Sequence, residues 1–363
     1  MTRIRLPFLV LLIFSLTLFS HLSGCAGPSY YAQAISGHMG LMRSRVSIEE
    51  LLDDPQTDPE LAARLKQTEQ MRQYAHERLA LSENGNYSRF AATNREAVTW
   101  NVVATPEFSL EPRLWCFPVA GCVAYRGYFK KQKAQAFADK MESKSMDVLI
   151  SPAVAYSTLG WFEDPLLDTM LQYSDAVLAG IIFHELAHER LYIKSDTAFN
   201  EAFASFVEET GVRLWLSESD RSAELEQWKN RKRASRQYNQ LLKEFRPLLA
   251  ELYASEISDA SKREQKLKYF DQLRSRYREL VNTQWQGKGY FDIWMDKDLN
   301  NARLALINSY EGGICAFETL FQQAGQKLER FYELAAEKAE MDMAQRQVWL
   351  TQACTEFASA GDL

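Results

Sequence analysis

Histidine and cysteine are scarce in this chain: five of each among 363 residues. So few cysteines exclude a small fold stapled throughout by disulfides, and no pair shows the C-x-x-C spacing of a zinc ribbon. No apolar stretch is long enough for a comfortable membrane span; the longest, Leu6 to Phe19, falls short. No internal repeat and no low-complexity linker breaks the chain, which excludes solenoids and arrays. A positive surplus is also missing. The formal charge is −6, which argues against broad nucleic-acid binding. What remains is an ordinary globular composition, 46% hydrophobic and 25% charged, with enough residues to bury a sizeable core.

The first residues have their own logic. Arg3 and Arg5 precede the Leu6–Phe19 run, and Leu22-Ser23-Gly24-Cys25 follows it. A basic start, an apolar run, small residues and then cysteine form the order of a secretory signal. The segment resembles a bacterial lipobox, which implies a signal peptide over residues 1–24 and a mature chain starting at an acylated Cys25. Lipid on Cys25 would hold the domain to a bilayer. Ala26 after the cysteine implies an outer-membrane address facing the periplasm. In such an exported chain Cys116 and Cys122 are candidates for a short disulfide loop, and Cys315 with Cys354 follows by elimination.

The remainder predicts an α+β fold. It is read as one domain over residues 25–363. Its parts are a helical stretch to about residue 85, a small sheet over about 97–161, and a mostly helical part over about 174–357. Ser47-Ile48-Glu49-Glu50 has the pattern of a capping box. Asp58-Pro59-Glu60 predicts a helix start. Val98 to Val103 and Asp147 to Ser151 predict strands, and Cys122–Tyr125 is expected to pair with Tyr128–Phe129. Ala223 to Tyr277 reads as a solvated helical hairpin.

The chemistry lies in His184-Glu185-Leu186-Ala187-His188. Helical residues four apart share a face, so His184 and His188 can direct two imidazoles at one ion. Zinc accepts such ligands, and Glu185 is placed to take a proton from metal-bound water that attacks a peptide carbonyl. The motif ends an apolar run, Val177 to Phe183, where two merely exposed histidines would be out of place. A third ligand is needed. If a second helix returns after Lys194-Ser195-Asp196, symmetry about that turn sets Glu201, rather than Glu208 or Glu209, opposite His188. Ser205 and Glu208 share the face of Glu201 and are candidates to hold the ligands in place. Tyr310 and Tyr156 are candidate donors to the transition state.

His184 to His188 together with Asn200-Glu201-Ala202 resembles the gluzincin metallopeptidases. The longer pattern is similar to a bacterial family described as putative aminopeptidases. It includes Trp115-Cys116-Phe117-Pro118, Tyr125-Arg126-Gly127-Tyr128-Phe129 and Ala155-Tyr156-Ser157. The resemblance implies a zincin-like fold, one zinc ion on His184, His188 and Glu201, Glu185 as base, and a peptide substrate. It also implies that a strand edge within Asp147–Trp161 takes substrate backbone. No Gly-x-Met-Glu-Asn segment is present. An endopeptidase, or a membrane-tethered binding or scaffold protein with structural zinc, therefore stands as the alternative.

Overall fold

A computed structural model describes residues 27–117, 121–156, 163–296, 299–305 and 313–351. Three helices open it: α1 (Pro28–Arg43), α2 (Ile48–Asp53) and α3 (Pro59–Glu77). α3 begins as its sequence predicts. Asp58 accepts a hydrogen bond from the Leu61 amide at 3.0 Å, and Pro59 fills the first helical position, where its missing N–H is not needed. Ser47 behaves differently from the capping-box expectation. Its side chain makes no capping bond, because Val46–Ser47 is strand β1, held by pairing to β2 (Arg89–Ala91).

The central sheet has the order β6 (Arg126–Tyr128), β3 (Thr99–Pro106), β7 (Met146–Ala153), antiparallel throughout. Alternation along β3 sorts its side chains onto two faces. Trp100, Val102 and Ala104 join one buried cluster with α4 (Lys131–Glu142), while Val103 meets Leu149 and Ala302 on the other side. The expected pairing of Cys122–Tyr125 with Tyr128–Phe129 does not occur. β5 (Gly121–Val123) folds back on β4 (Trp115–Phe117), with Cys116 opposite Cys122 and a disulfide joining them. β6 is taken by β3 instead, so Tyr125 lies in the crossing between two sheets. A further short strand, β8 (Leu166–Leu167), runs parallel to β2.

From residue 175 onward the described chain is helical. α5 (Asp175–Arg190) and α6 (Thr197–Glu218) form the spine of the main core. Phe199, Phe203 and Phe206 are almost fully buried, each contributing roughly 1.5–3 kcal/mol of transfer free energy. They pack on α11 (Ile314–Gln323), α12 (Leu328–Ala339) and α13 (Met343–Leu350) through Phe317, Phe331 and Trp349. These three follow the short α9 (Asp292–Asp296) and α10 (Asn301–Ala305). The predicted hairpin is present as α7 (Ser222–Ala254) and α8 (Asp259–Thr283). It is not solvated on every side. Tyr238, Leu242, Phe270 and Leu273 form a second core along its seam, and Trp228 at the start of α7 enters the main core. No described helix is long and apolar enough to cross a membrane. Cys315 is disulfide-bonded. Cys25, Tyr310 and Cys354 lie outside the described residues.

Candidate metal centre

The apolar run before His184 drives α5 into the core, and helical periodicity then sets two imidazoles on one side. The rings of His184 and His188 meet edge to face with centroids 4.8 Å apart. After α5 the chain turns through Ser195, whose φ is +67°, and Asp196 starts α6. Asp196 accepts from the Phe199 amide at 3.2 Å with one oxygen and from Arg346 Nε at 2.7 Å with the other. Asn200 ties off the same turn. Its amide nitrogen donates to the Ile193 carbonyl, and its oxygen accepts from the Ile193 amide, both at 2.8 Å. These contacts fix the register in which Glu201 faces the two histidines.

Glu201 Oε2 lies 3.4 Å from His184 Nε2, and its Oε1 lies 3.7 Å from His188 Nε2. One donor atom from each of the three residues can be chosen so that all fall within 4.8 Å of one another. A tetrahedral zinc with bonds of about 2.0–2.2 Å spaces its donors by about 3.3–3.5 Å. Two imidazole nitrogens and a carboxylate oxygen at these separations fit such an ion in donor type and in span. Glu208 and Glu209 go elsewhere. Glu208 Oε2 is 3.2 Å from His184 Nδ1, and Glu209 pairs with Arg236 at 2.7 Å and Lys232 at 3.4 Å.

The two histidines differ electrostatically. Burial works against charge on His184, but contacts with Glu201 and Glu208 outweigh it and raise its pKa to about 10. His188 has only the weaker attraction of Glu201, and its Nδ1 has no hydrogen-bond partner among the described residues. Burial, then the neighbouring His184, lowers it to about 4, so it is neutral at physiological pH. Burial also opposes ionisation of Glu208, yet Lys232 and the His184 contact bring its carboxyl down to about 2.

A family model described as "Putative aminopeptidase" matches residues 29–350. The chain belongs to that family. The matched span includes α5, α6 and every residue of the cluster. No curated protein and no solved structure matches the chain.

The candidate site of this family member extends past the three clustered side chains. Glu185 is half-buried beside them. Tyr87, fully buried, has its pKa pushed well up by burial and then by Glu185. Tyr125 keeps 40% of its surface open, yet burial around its hydroxyl raises its pKa, and Glu201 and Glu185 add to the effect. Glu189 has one oxygen bonded by Asn84 and the other by Asn86. Burial, then Asp164 and Glu185, raise its carboxyl to about 7.

Among the sequence candidates, Tyr156 has its described contacts with residues outside the cluster. Its hydroxyl is 3.1 Å from His38 Nδ1 and its ring packs on Phe129. Ser205 is buried on α6, but the acceptor for the His184 Nδ1 is Glu208. Tyr125 carries no sequence signal of its own beyond its place in the Tyr125–Phe129 segment. Lys232 carries none either, being one cation among many on a charged helix.

Proposed function

We propose that this family member is a zinc-dependent aminopeptidase that hydrolyses the N-terminal peptide bond of its substrate, with Glu185 as general base. The observation that carries the reading is the convergence of His184 Nε2, His188 Nε2 and the Glu201 carboxylate. Zinc held by those atoms would supply Lewis acidity and make water a stronger acid. Glu185, one residue from His184, takes a proton from water into its carboxylate and passes it to the leaving amine nitrogen, so no net proton is consumed. The Tyr125 hydroxyl, whose electrostatic neighbours are Glu201 and Glu185, is a donor for the oxyanion that develops on the substrate carbonyl. Buried Asp164, and Glu189 to the extent that its carboxyl, raised to about 7, is ionised, add negative potential beside Glu185. That potential favours a substrate with a free ammonium over one with a blocked terminus.

The Arg3–Cys25 segment supports a second part of the proposal: the mature chain is held to the membrane by lipid on Cys25, facing the periplasm. A structural zinc would not require an acid at position 185, and this weighs against a scaffold role. Metal analysis of the purified chain, coupled to a comparison of free and amino-blocked peptides, tests the reading. One zinc per chain and hydrolysis of free peptides alone is expected. Absence of stoichiometric metal overturns it. Equal cleavage of blocked peptides turns it to an endopeptidase.

A further inference from the structure

Lys232 belongs to α7, on a helix whose polar residues look solvated in the sequence. Its ammonium is nevertheless largely covered. Lys232 Nζ is 2.7 Å from Glu208 Oε1 and 3.4 Å from Glu209 Oε1. The other Glu208 oxygen is the one 3.2 Å from His184 Nδ1. A polar line thus runs from the hairpin through one carboxylate to one imidazole, and ends on the Nε2 that faces Glu201.

Gly180 supplies a separate observation. It stands one helical turn before His184, inside α5, where glycine costs about 1 kcal/mol relative to alanine. A Cβ there would lie 3.3 Å from Glu208 Cγ and 3.4 Å from Glu208 Oε1. The missing side chain leaves the space in which the Glu208 carboxylate rests against α5. A glycine in so buried a helix is explained by the group it accommodates.

We propose that Lys232 is a positioning residue for the metal centre, acting through Glu208 in a groove that Gly180 keeps open. The proposal rests on the metal-binding reading of His184, His188 and Glu201. A carboxylate that accepts from Nδ1–H leaves the lone pair on Nε2 and fixes the plane of the ring. Glu208 alone could swing about its side-chain torsions. Lys232 holds the far oxygen, so only one orientation satisfies both ends. Lys232 with Glu208, and Arg236 with Glu209, form two neutral pairs, so their effect on the ion is one of geometry and not of added charge. Because Trp228 lies in the main core and Tyr238 in the hairpin core, α7 carries Lys232 to the site only when the hairpin is docked. His184 is thereby oriented by an element that contributes no ligand.

The test is zinc affinity of the full chain, measured by competition with a chromophoric chelator. Lys232→Met is expected to weaken zinc binding by about 10–100-fold, the usual size for loss of an outer partner, and Lys232→Arg to restore most of it. In a Glu208→Gln background, Lys232→Met should cost no further affinity, since both act on one ring. Losses that add in the double variant, or unchanged affinity in Lys232→Met, overturn the proposal. If Lys232→Met does not fold, Gly180→Ala serves. It favours the helix, so the thermal midpoint should hold while zinc affinity falls several-fold; unchanged affinity there also overturns the proposal. A wild-type chain that binds no zinc removes the metal reading itself, and the positioning role with it.

Discussion

Asn200 and Ile193 are joined by two antiparallel hydrogen bonds, each 2.8 Å, across the turn between the two helices that carry the cluster. A single side chain thus satisfies both polar groups of one backbone residue, directly before Glu201. Asn200→Ala leaves the half-buried Ile193 amide without its partner, while the Ile193 carbonyl keeps the Asp196 amide at 3.2 Å. It is expected to cost about 1–3 kcal/mol, read as a lower thermal midpoint, and to weaken metal binding by loosening Glu201. Asn200→Asp keeps the acceptor and should lose less. An alanine variant as stable as the parent would mean the turn is held by other contacts.

The raised pKa of His184 sets a pH dependence. Its folded value, about 10, lies above the ordinary 6.5. Protonated His184 therefore stabilises the metal-free fold fully below pH 6.5, and the contribution fades as pH rises through 10. A cation must displace that proton. Zinc affinity should rise by about tenfold per pH unit near neutrality, with about one proton released per ion. Calorimetry in two buffers of different ionisation enthalpy counts the proton directly. A pH-independent affinity would contradict the pairing of His184 with two carboxylates.

Glu208 works in the opposite sense. Its folded value, about 2, lies below the ordinary 4.5. Its contribution is fully present above pH 4.5 and is lost as pH falls through 2. Glu208→Gln should flatten the acid limb of the stability curve of the metal-free chain, measured by denaturant titration at stepped pH. An unaltered acid limb would place the acid sensitivity in other carboxylates.

Glu185→Gln keeps the size of the side chain and removes the base. The variant should retain one zinc per chain while kcat falls by about 10²–10⁴. Retained turnover with metal in place would show that another group takes the proton.

Tyr125→Phe separates a donor from a packed ring. If the hydroxyl meets the developing oxyanion, kcat drops by about 10²–10³ with KM altered by about twofold at most. Tyr156→Phe should change kcat little, because that hydroxyl is engaged with His38. The reverse ranking would reassign the donor.

The helices that form the centre were legible in the sequence for physical reasons. The apolar run marked α5, Asp196 or Thr197 was the expected start of α6, and the turn between them left Glu201 as the acid facing His188. Spacing along one strand or helix is a local quantity, and it predicted local things. The pairing of β6 with β3 in place of β5 was not legible, since both choices satisfy the alternation of apolar residues. Ser47 matched a capping pattern, but the strand pairing of Val46 and Ser47 took its backbone. Lys232, Tyr125 and Arg346 come from distant stretches of chain. Their roles exist only once tertiary packing brings them to residues they do not neighbour in sequence.

The contact between Arg346 and Asp196 joins residues 150 positions apart. The cluster's own side chains have all been synthesised by residue 201, whereas the guanidinium that secures their connecting turn is added only at residue 346. The register of the cluster is thereby tied to synthesis as far as α13. A chain halted before residue 346 would carry His184, His188 and Glu201 but lack the clasp that holds them in register.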